Sequence, residues 1–286
     1  MSFPTWDTLV DTAALAGAVG REDLRIVDAR FALGAPDWGR EEYFHAHLPG
    51  SVHADLNKDL SDLGRSGEGR HPLPQWPLFA AKLGLWGIRP GTQVVVYDAG
   101  DGSMAAARLW WLLRVLGHRT VAVLDGGLAA WRAAGLPETD AVPAIVDAGA
   151  YPSEPDLAAI VGADEVLARL SQPSGWLLDA RAPERFGGAV EPIDPVAGHV
   201  PGAVNRPFAL SLAEGRFKPA EHLRGELEAV LDGRAPRDMV LMCGSGVTAC
   251  HLLLALETAG LQGARVYAGS WSGWIADRAR PVETGA

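Results

Sequence analysis

The sequence predicts an α/β fold made of two tandem domains, each a parallel sheet with helices on both faces. Short apolar runs such as the VVVY of residues 94–97 alternate with longer stretches of helical spacing, the pattern of parallel strands joined by helices. This succession occurs twice along the 286 residues. With 48% apolar residues, a chain of this length can bury one large core or two medium ones.

Two short motifs indicate an internal duplication. RIVDAR at residues 25–30 recurs as WLLDAR at residues 176–181, and HAHLPGSV at 45–52 recurs as AGHVPGAV at 197–204. The spacings agree, since Asp28 and Asp179 lie 151 residues apart and His47 and His199 lie 152 apart. Because the histidine occurs in both halves, we expect it to hold the turn by hydrogen bonds rather than to act in chemistry.

Each half is predicted to contain the same elements in the same order. A strand ending in Asp precedes a His-x-Pro-Gly turn, a helical stretch, a Val-rich strand, a glycine-containing corner, a long apolar helix and a further strand. The long helices are expected to begin after Ser103 and near Val247, and to end at Gly117 and Gly260, because glycine suits the left-handed helix C-cap. Their apolar residues occupy nearly every face, which predicts burial.

A connector is predicted between the halves. Residues 137–155 are rich in Pro, Asp and Ala and have no sustained period. We therefore expect an N-terminal domain at residues 1–148 and a C-terminal domain at residues 149–286.

Composition argues against several classes of partner. The formal net charge of -10, with no cluster of Lys and Arg, disfavours nucleic acid. The first twenty residues lack a basic leader and are interrupted by Asp7 and Asp11, which predicts neither signal peptide nor membrane span. The expectation is a cytoplasmic protein that does not bind membranes. Its two cysteines, seven residues apart, are not expected to pair with each other.

The most informative stretch is VLMCGSGVTAC at residues 240–250. It places Cys243 at the carboxyl end of a predicted strand, where open parallel sheets bind ligands. Gly244 and Gly246 allow a tight curl, so that N–H groups from Gly244 to Thr248 can converge on the sulfur at a helix N-terminus. Such dipoles stabilise a thiolate, which predicts that Cys243 is a nucleophile and Cys250 an inert helix residue.

The loop fits two reactions, phosphoryl transfer and sulfur transfer. A cysteine phosphatase needs an arginine six residues after its nucleophile to clamp the phosphoryl oxygens. Here that position holds Ala249. The small residues of the loop instead leave room for a compact anion such as sulfane sulfur.

The chain resembles the tandem-domain sulfurtransferases of the rhodanese superfamily. The resemblance covers nearly the whole sequence and includes both DAR strands, both His-x-Pro-Gly turns, LDGG and the loop CGSGVTA, which is similar to that of 3-mercaptopyruvate sulfurtransferases. It implies that Cys243 takes sulfur from a small-molecule donor and holds it as a persulfide. The acceptor would be cyanide, a small thiol or a reduced thioredoxin-like protein, and no metal or organic cofactor is required.

The same resemblance implies roles for further residues. His71, in RHPLP, matches a histidine contributed by the N-terminal domain, and Asp55 is the expected carboxylate partner for it. Ser245 would orient the donor or relay a proton, and Arg185 would bind the donor's anionic end. The remaining residues of the loop would line the substrate site, namely Gly244, Gly246, Val247 and Thr248.

The identity of the donor stays open at this point. Thiosulfate-preferring relatives commonly carry Arg and Lys after the cysteine, where this chain has Gly244 and Ser245, which favours mercaptopyruvate. Mercaptopyruvate-specific relatives usually have a second arginine after an EPEP-like segment, whereas VEPIDP places Asp194 there. Besides a 3-mercaptopyruvate sulfurtransferase, two alternatives therefore stay open, a thiosulfate:cyanide sulfurtransferase and a non-catalytic persulfide carrier. Aligning the halves puts Asp98 opposite Cys243, so the N-terminal half cannot accept sulfur.

Overall fold

The first half of the chain folds around a five-stranded parallel sheet. The computed structural model describes residues 4–152 and 154–285. In spatial order the strands run β1, β5, β4, β2, β3, and every pairing is parallel. The strands are β1 (Leu9–Val10), β2 (Leu24–Asp28), β3 (Ser51–His53), β4 (Gln93–Tyr97) and β5 (Val121–Leu124), and the helices are α1 (Thr12–Ala16), α2 (Trp38–His45), α3 (Trp76–Leu85), α4 (Ala105–Val115) and α5 (Gly127–Ala133).

The second half repeats this sheet and adds a small hairpin. Its parallel strands lie in the order β6, β12, β11, β7, β8, which matches the first sheet position by position. The strands are β6 (Ile160–Val161), β7 (Leu177–Asp179), β8 (Val204–Asn205), the antiparallel hairpin pair β9 (Leu212–Ala213) and β10 (Arg216–Phe217), β11 (Val240–Met242) and β12 (Arg265–Tyr267). The helices are α6 (Ala163–Ala168), α7 (Pro183–Phe186), α8 (Ala220–Leu231), α9 (Thr248–Thr258) and α10 (Ser270–Trp274), with short 3-10 turns at Leu157–Ala159, Phe208–Ser211 and Pro236–Asp238.

Both faces of each sheet are covered, as the parallel pairing requires. Successive residues of a strand point to opposite faces, yet all five residues of β4 are buried. On one face Leu15 of α1 and Trp131 of α5 pack against Val95 and Tyr97. The predicted α/β architecture is confirmed in both halves.

The two long helices end where glycine was predicted to stop them. Gly117 follows α4 with φ 77°, and Gly260 follows α9 with φ 76°. Every residue of α4 except Arg114 is buried, and α9 is buried from Ala249 to Leu256. None of the helices in the described part of the chain has both the length and the hydropathy that crossing a bilayer requires.

The chain divides into two compact units. The first contains the described residues up to Asp62 together with Leu73–Asp156, and the second contains Leu63–Pro72 and the described residues from Leu157 onward. A single boundary near residue 148 does not predict that Leu63–Pro72 belongs to the second unit. The division into domains at 1–148 and 149–286 therefore stays a prediction.

Candidate active site

The cysteine lies at the carboxyl end of the central strand β11, and α10 fixes its backbone. The N–H of Cys243 donates to Ser270 Oγ at 3.0 Å, and its carbonyl accepts the N–H of Trp271 at 2.9 Å. The carbonyl of Gly244 accepts the N–H of Ser272, also at 2.9 Å. Ser270 adopts φ 52°, a left-handed conformation rare outside glycine. The residue bearing the nucleophile is therefore held by hydrogen bonds from a second segment.

One backbone amide of the loop points at the sulfur. The N–H of Gly246 donates to Cys243 Sγ at 3.2 Å, the type of contact that favours a thiolate. Gly246 has φ 76°, and a Cβ there would lie 2.2 Å from the carbonyl oxygen of Ala268. Only glycine fits at this position. Cys250 donates its thiol to the Gly246 carbonyl at 3.2 Å, and within the described residues neither cysteine forms a disulfide.

A buried histidine and serine form a pair beside the cysteine loop. His71 Nδ1 lies 2.8 Å from Ser245 Oγ, and both residues are buried. A hydroxyl hydrogen-bonded to an imidazole can pass a proton in either direction. The structure thus brings together two predicted site residues, although the sequence predicts Asp55 and not Ser245 as the partner of His71.

A short segment, which we call the strap (Leu63–Pro72), carries His71 into the second unit. The backbone N–H of Arg70 donates to Ser272 Oγ at 2.9 Å. Gly69 has φ 97°, and a Cβ there would lie 2.5 Å from the Gly269 carbonyl oxygen. The strap therefore packs closely on the loop that leads into α10. His71 precedes the connector in sequence but belongs to the unit that contains the cysteine.

Two guanidinium groups converge above the cysteine loop. A Cβ on Gly244 would lie 3.2 Å from Arg70 Nη2 and 3.4 Å from Arg185 Nη1. Glycine at 244 therefore leaves space that the two cations border. Arg185 was predicted from the sequence, whereas Arg70 was missed. Its position directly before His71 was the only signal for it.

Two carboxylates hold Arg185 from its other side. Glu191 accepts from Arg185 Nε at 3.1 Å and from Nη2 at 2.8 Å. Burial acts to raise the pKa of Glu191, but the hydrogen bonds from Arg185 and from the backbone N–H groups of Asp194 and Ile193 outweigh it and lower the pKa. Asp194 accepts from Arg185 Nη2 at 3.0 Å and from Arg70 Nη1 at 2.5 Å. Arg185 is thus part of an ion-pair network.

Comparison with known proteins assigns the family. The family model for the rhodanese-like domain matches residues 11–134 and again residues 162–277. The chain belongs to the rhodanese family. This confirms the resemblance inferred from the sequence and its duplication.

Relatives that match this chain over most of their length are named for two donors. The chain is 50% identical over 280 residues to the "Probable 3-mercaptopyruvate sulfurtransferase" of Pseudomonas aeruginosa, covering 97% of this chain and 98% of the relative. It is 37% identical over 266 residues to the thiosulfate sulfurtransferase of Bos taurus, covering 91% and 87%. The solved structure of the 3-mercaptopyruvate sulfurtransferase from Leishmania major superposes with a TM-score of 0.81 at 30% identity, over 93% of this chain and 73% of that one.

The first unit has a loop at the equivalent strand end, with Asp98 in place of the cysteine. The N–H of Leu128 donates to the Asp98 carbonyl at 2.9 Å, as the N–H of Trp271 does to Cys243. The Asp98 carboxylate accepts three backbone N–H groups of its own loop, those of Gly100, Gly102 and Met104, at 3.0 to 3.2 Å. The predicted equivalence of Asp98 and Cys243 is confirmed by this pairing.

The other predicted site residues are placed as follows. Asp55 lies in the first unit, where its carboxylate accepts the N–H groups of Asn57 and Lys58 at 2.9 and 3.2 Å and meets Lys58 Nζ at 3.2 Å. Its partnership with His71 stays a prediction. Val247 occupies the N-cap of α9 and Thr248 its first turn, and their substrate contacts also remain predictions. No group of three or more His, Cys, Asp or Glu residues suited to a metal ion occurs in the described ranges.

Proposed function

We propose that this protein transfers sulfane sulfur from 3-mercaptopyruvate to a thiol or to cyanide through a persulfide on Cys243. The observation that supports it best is the contact between the Gly246 N–H and Cys243 Sγ, made in a loop bordered by Arg70 and Arg185. The loop thus offers a sulfur atom that accepts a backbone N–H group, beside cations that can hold a carboxylate. The relatives named for 3-mercaptopyruvate favour this donor.

In the first half-reaction the donor carboxylate binds the guanidinium nitrogens above Gly244, and its carbonyl oxygen lies near Ser245. The Cys243 thiolate attacks the donor sulfur and forms the S–S bond. The C–S bond of the donor breaks, and its electron pair passes to the carbon to give the enolate of pyruvate. The thiol proton of the donor, relayed by the Ser245 and His71 pair 2.8 Å apart, completes pyruvate.

In the second half-reaction a nucleophilic acceptor attacks the outer sulfur of the persulfide. The S–S bond breaks and its electron pair returns to Cys243, which regenerates the thiolate. Cyanide would leave as thiocyanate, and a thiol as its own persulfide. Small thiols and a reduced thioredoxin-like protein are the acceptors we propose, and a cytoplasmic location suits them because Cys243 must stay reduced.

Intact-mass measurement tests the covalent step. After incubation with 3-mercaptopyruvate and removal of excess donor, the protein should gain the mass of one sulfur atom. Cys243→Ser should gain none, whereas the matched control Cys250→Ser should behave as the wild type. A protein that stays at its starting mass would rule out the proposed reaction.

Thiosulfate is the second candidate donor, since a relative named for it is 37% identical over most of both chains. Turnover with cyanide at equal concentrations of the two donors separates the candidates. An adduct that forms but turns over with neither donor would indicate a persulfide carrier instead.

A further inference from the structure

The two cations of the donor site share one buried carboxylate. Asp194 contacts Arg70 through one carboxylate oxygen at 2.5 Å and Arg185 through the other at 3.0 Å. Its side chain is 3% exposed, against 24% and 17% for the two arginines. Asp194 therefore lies beneath the arginines, and the arginines are the part of this cluster that solvent or a donor can reach.

Both guanidinium groups contact Asp194 and also border the space above Gly244. Asp194 binds Nη1 of Arg70 and Nη2 of Arg185. A Cβ on Gly244 would lie 3.2 Å from Nη2 of Arg70, and 3.4 and 3.5 Å from Nη1 and Nη2 of Arg185. A donor bound above the cysteine loop would meet one nitrogen from each arginine, with the Asp194 carboxylate just behind them.

The charges of this cluster cancel. The two guanidinium groups are each paired with a carboxylate, since Glu191 binds Arg185 and Asp194 bridges both. Glu191 also lies 3.5 Å from Arg181, which is itself paired with Asp179. The local sum of these three arginines and three carboxylates is zero. Hydrogen-bond donors are therefore present without a surplus of positive charge, and that arrangement accepts one negative charge more readily than two.

We propose that Asp194 sets the charge class of the sulfur donor, admitting a monoanionic carboxylate such as 3-mercaptopyruvate and disfavouring a dianion such as thiosulfate. This inference rests on the proposed function and adds a specificity residue to it. A single charge at this range, partly screened, changes binding by about tenfold for each charge on the ligand. Removing it should therefore favour the dianion by a further factor of about ten.

The test compares Asp194→Asn with the wild type on both donors. We expect kcat/KM to rise about tenfold for 3-mercaptopyruvate and about a hundredfold for thiosulfate, so that the ratio of the two shifts by about ten. The gain in kcat/KM should come from a lower KM. It should be smaller at high salt, because salt already screens the repulsion between Asp194 and the donor that the substitution removes. Asp194→Ala should shift the ratio in the same direction.

Asp232→Asn is the matched control. It removes the same charge from the second unit at an exposed position, with φ 49°, where asparagine is tolerated. Its donor ratio should equal that of the wild type. If Asp194 only positions the arginines, both donors should lose activity by similar factors and the ratio should stay unchanged, which would overturn the inference.

An equilibrium binding measurement tests this inference independently of the proposed function. Pyruvate and sulfate are inert anions of one and two charges, and each should protect Cys243 from alkylation when bound. Asp194→Asn should strengthen protection by sulfate more than protection by pyruvate. Equal changes, or no protection by either anion, would overturn the inference even if a persulfide forms. If Asp194→Asn changes the protection as expected but no donor forms a persulfide on Cys243, only the proposed function would be overturned.

Discussion

At the scale of single residues, the contact between His71 and Ser245 bears most directly on chemistry. His71 Nδ1 and Ser245 Oγ are 2.8 Å apart in buried surroundings. If they relay one proton, removing either should lower kcat by about 10²-fold, the usual size of general acid–base effects. Ser245→Ala, His71→Gln and the double variant should be measured by steady-state kinetics with 3-mercaptopyruvate.

The double variant is the decisive measurement. Two residues that act as one unit give a combined loss close to either single loss. Multiplicative losses would show that they act separately. Alkylation of Cys243 should stay near the wild-type rate in all three variants, because the amide that contacts its sulfur belongs to Gly246. His222→Gln, at an exposed position of α8, controls for loss of an imidazole.

The sequence predicts the residues of the cysteine loop because their chemistry is local. Cys243 at a strand end followed by Gly-Ser-Gly is a pattern of neighbours in the chain. Arg70 contacts a residue far away in sequence, since 124 positions separate it from Asp194. No spacing rule predicts such a pair, so the contact of Arg70 with this cluster is evident only from the structure.

At the scale of elements, the strap (Leu63–Pro72) positions two functional side chains with little secondary structure of its own. Gly69→Ala should displace it, since a Cβ would lie 2.5 Å from the Gly269 carbonyl oxygen. We expect kcat/KM to fall by 10²-fold or more because a misplaced catalytic group costs that much. The measurement is turnover together with the Cys243 alkylation rate, which should change little.

Gly67→Ala provides a matched control within the strap. Gly67 also has positive φ, 82°, but a Cβ there meets nothing within 4 Å. It carries only the strain of a left-handed alanine, about 1 kcal/mol. Similar losses of activity in both variants would mean that backbone strain, and not the close approach to Gly269, governs the strap.

The ends of the long helices were predictable, whereas the strap was not. Gly117 and Gly260 stop α4 and α9 for a local reason, their left-handed conformation. The strap depends on contacts with residues elsewhere, such as Ser272 and Gly269, and has no strong periodic pattern. Local rules therefore recover elements that local sequence stabilises and miss those that tertiary contacts hold.

At the scale of the whole molecule, the duplication preserves a framework and changes one loop. In each unit an arginine pairs with the last residue of a strand and reaches a backbone carbonyl before the His-x-Pro-Gly turn, as Arg30 does with Asp28 and Arg181 with Asp179. His47 and His199 each hold a backbone carbonyl through Nδ1, as predicted. The repeat in sequence is therefore a repeat of buried polar contacts, whereas the residue at the end of the central strand differs, Asp98 in the first unit and Cys243 in the second.

That position gives the first unit a pH dependence of its own. Burial raises the pKa of Asp98 to about 6, despite the three backbone N–H groups its carboxylate accepts. In the unfolded chain an aspartate has an ordinary pKa near 3.9. The folded state thus binds more protons between about pH 4 and 6, and the contribution of Asp98 to stability is largest below that window and is lost as pH rises through it.

Asp98→Asn removes the titration. The unfolding free energy of the wild type, relative to this variant, should fall by about 3 kcal/mol between pH 4 and 7, the equivalent of a shift of about two pKa units. Urea unfolding at a series of pH values measures this change in the free energy of unfolding. Hydrogen exchange of the β4 and α4 amides assigns the change to the first unit. Asp140→Asn changes an exposed position of the same unit. Its free energy of unfolding should vary with pH as that of the wild type does. A difference between wild type and Asp98→Asn that is constant with pH would show that folding leaves the pKa of Asp98 unshifted, which would contradict this prediction.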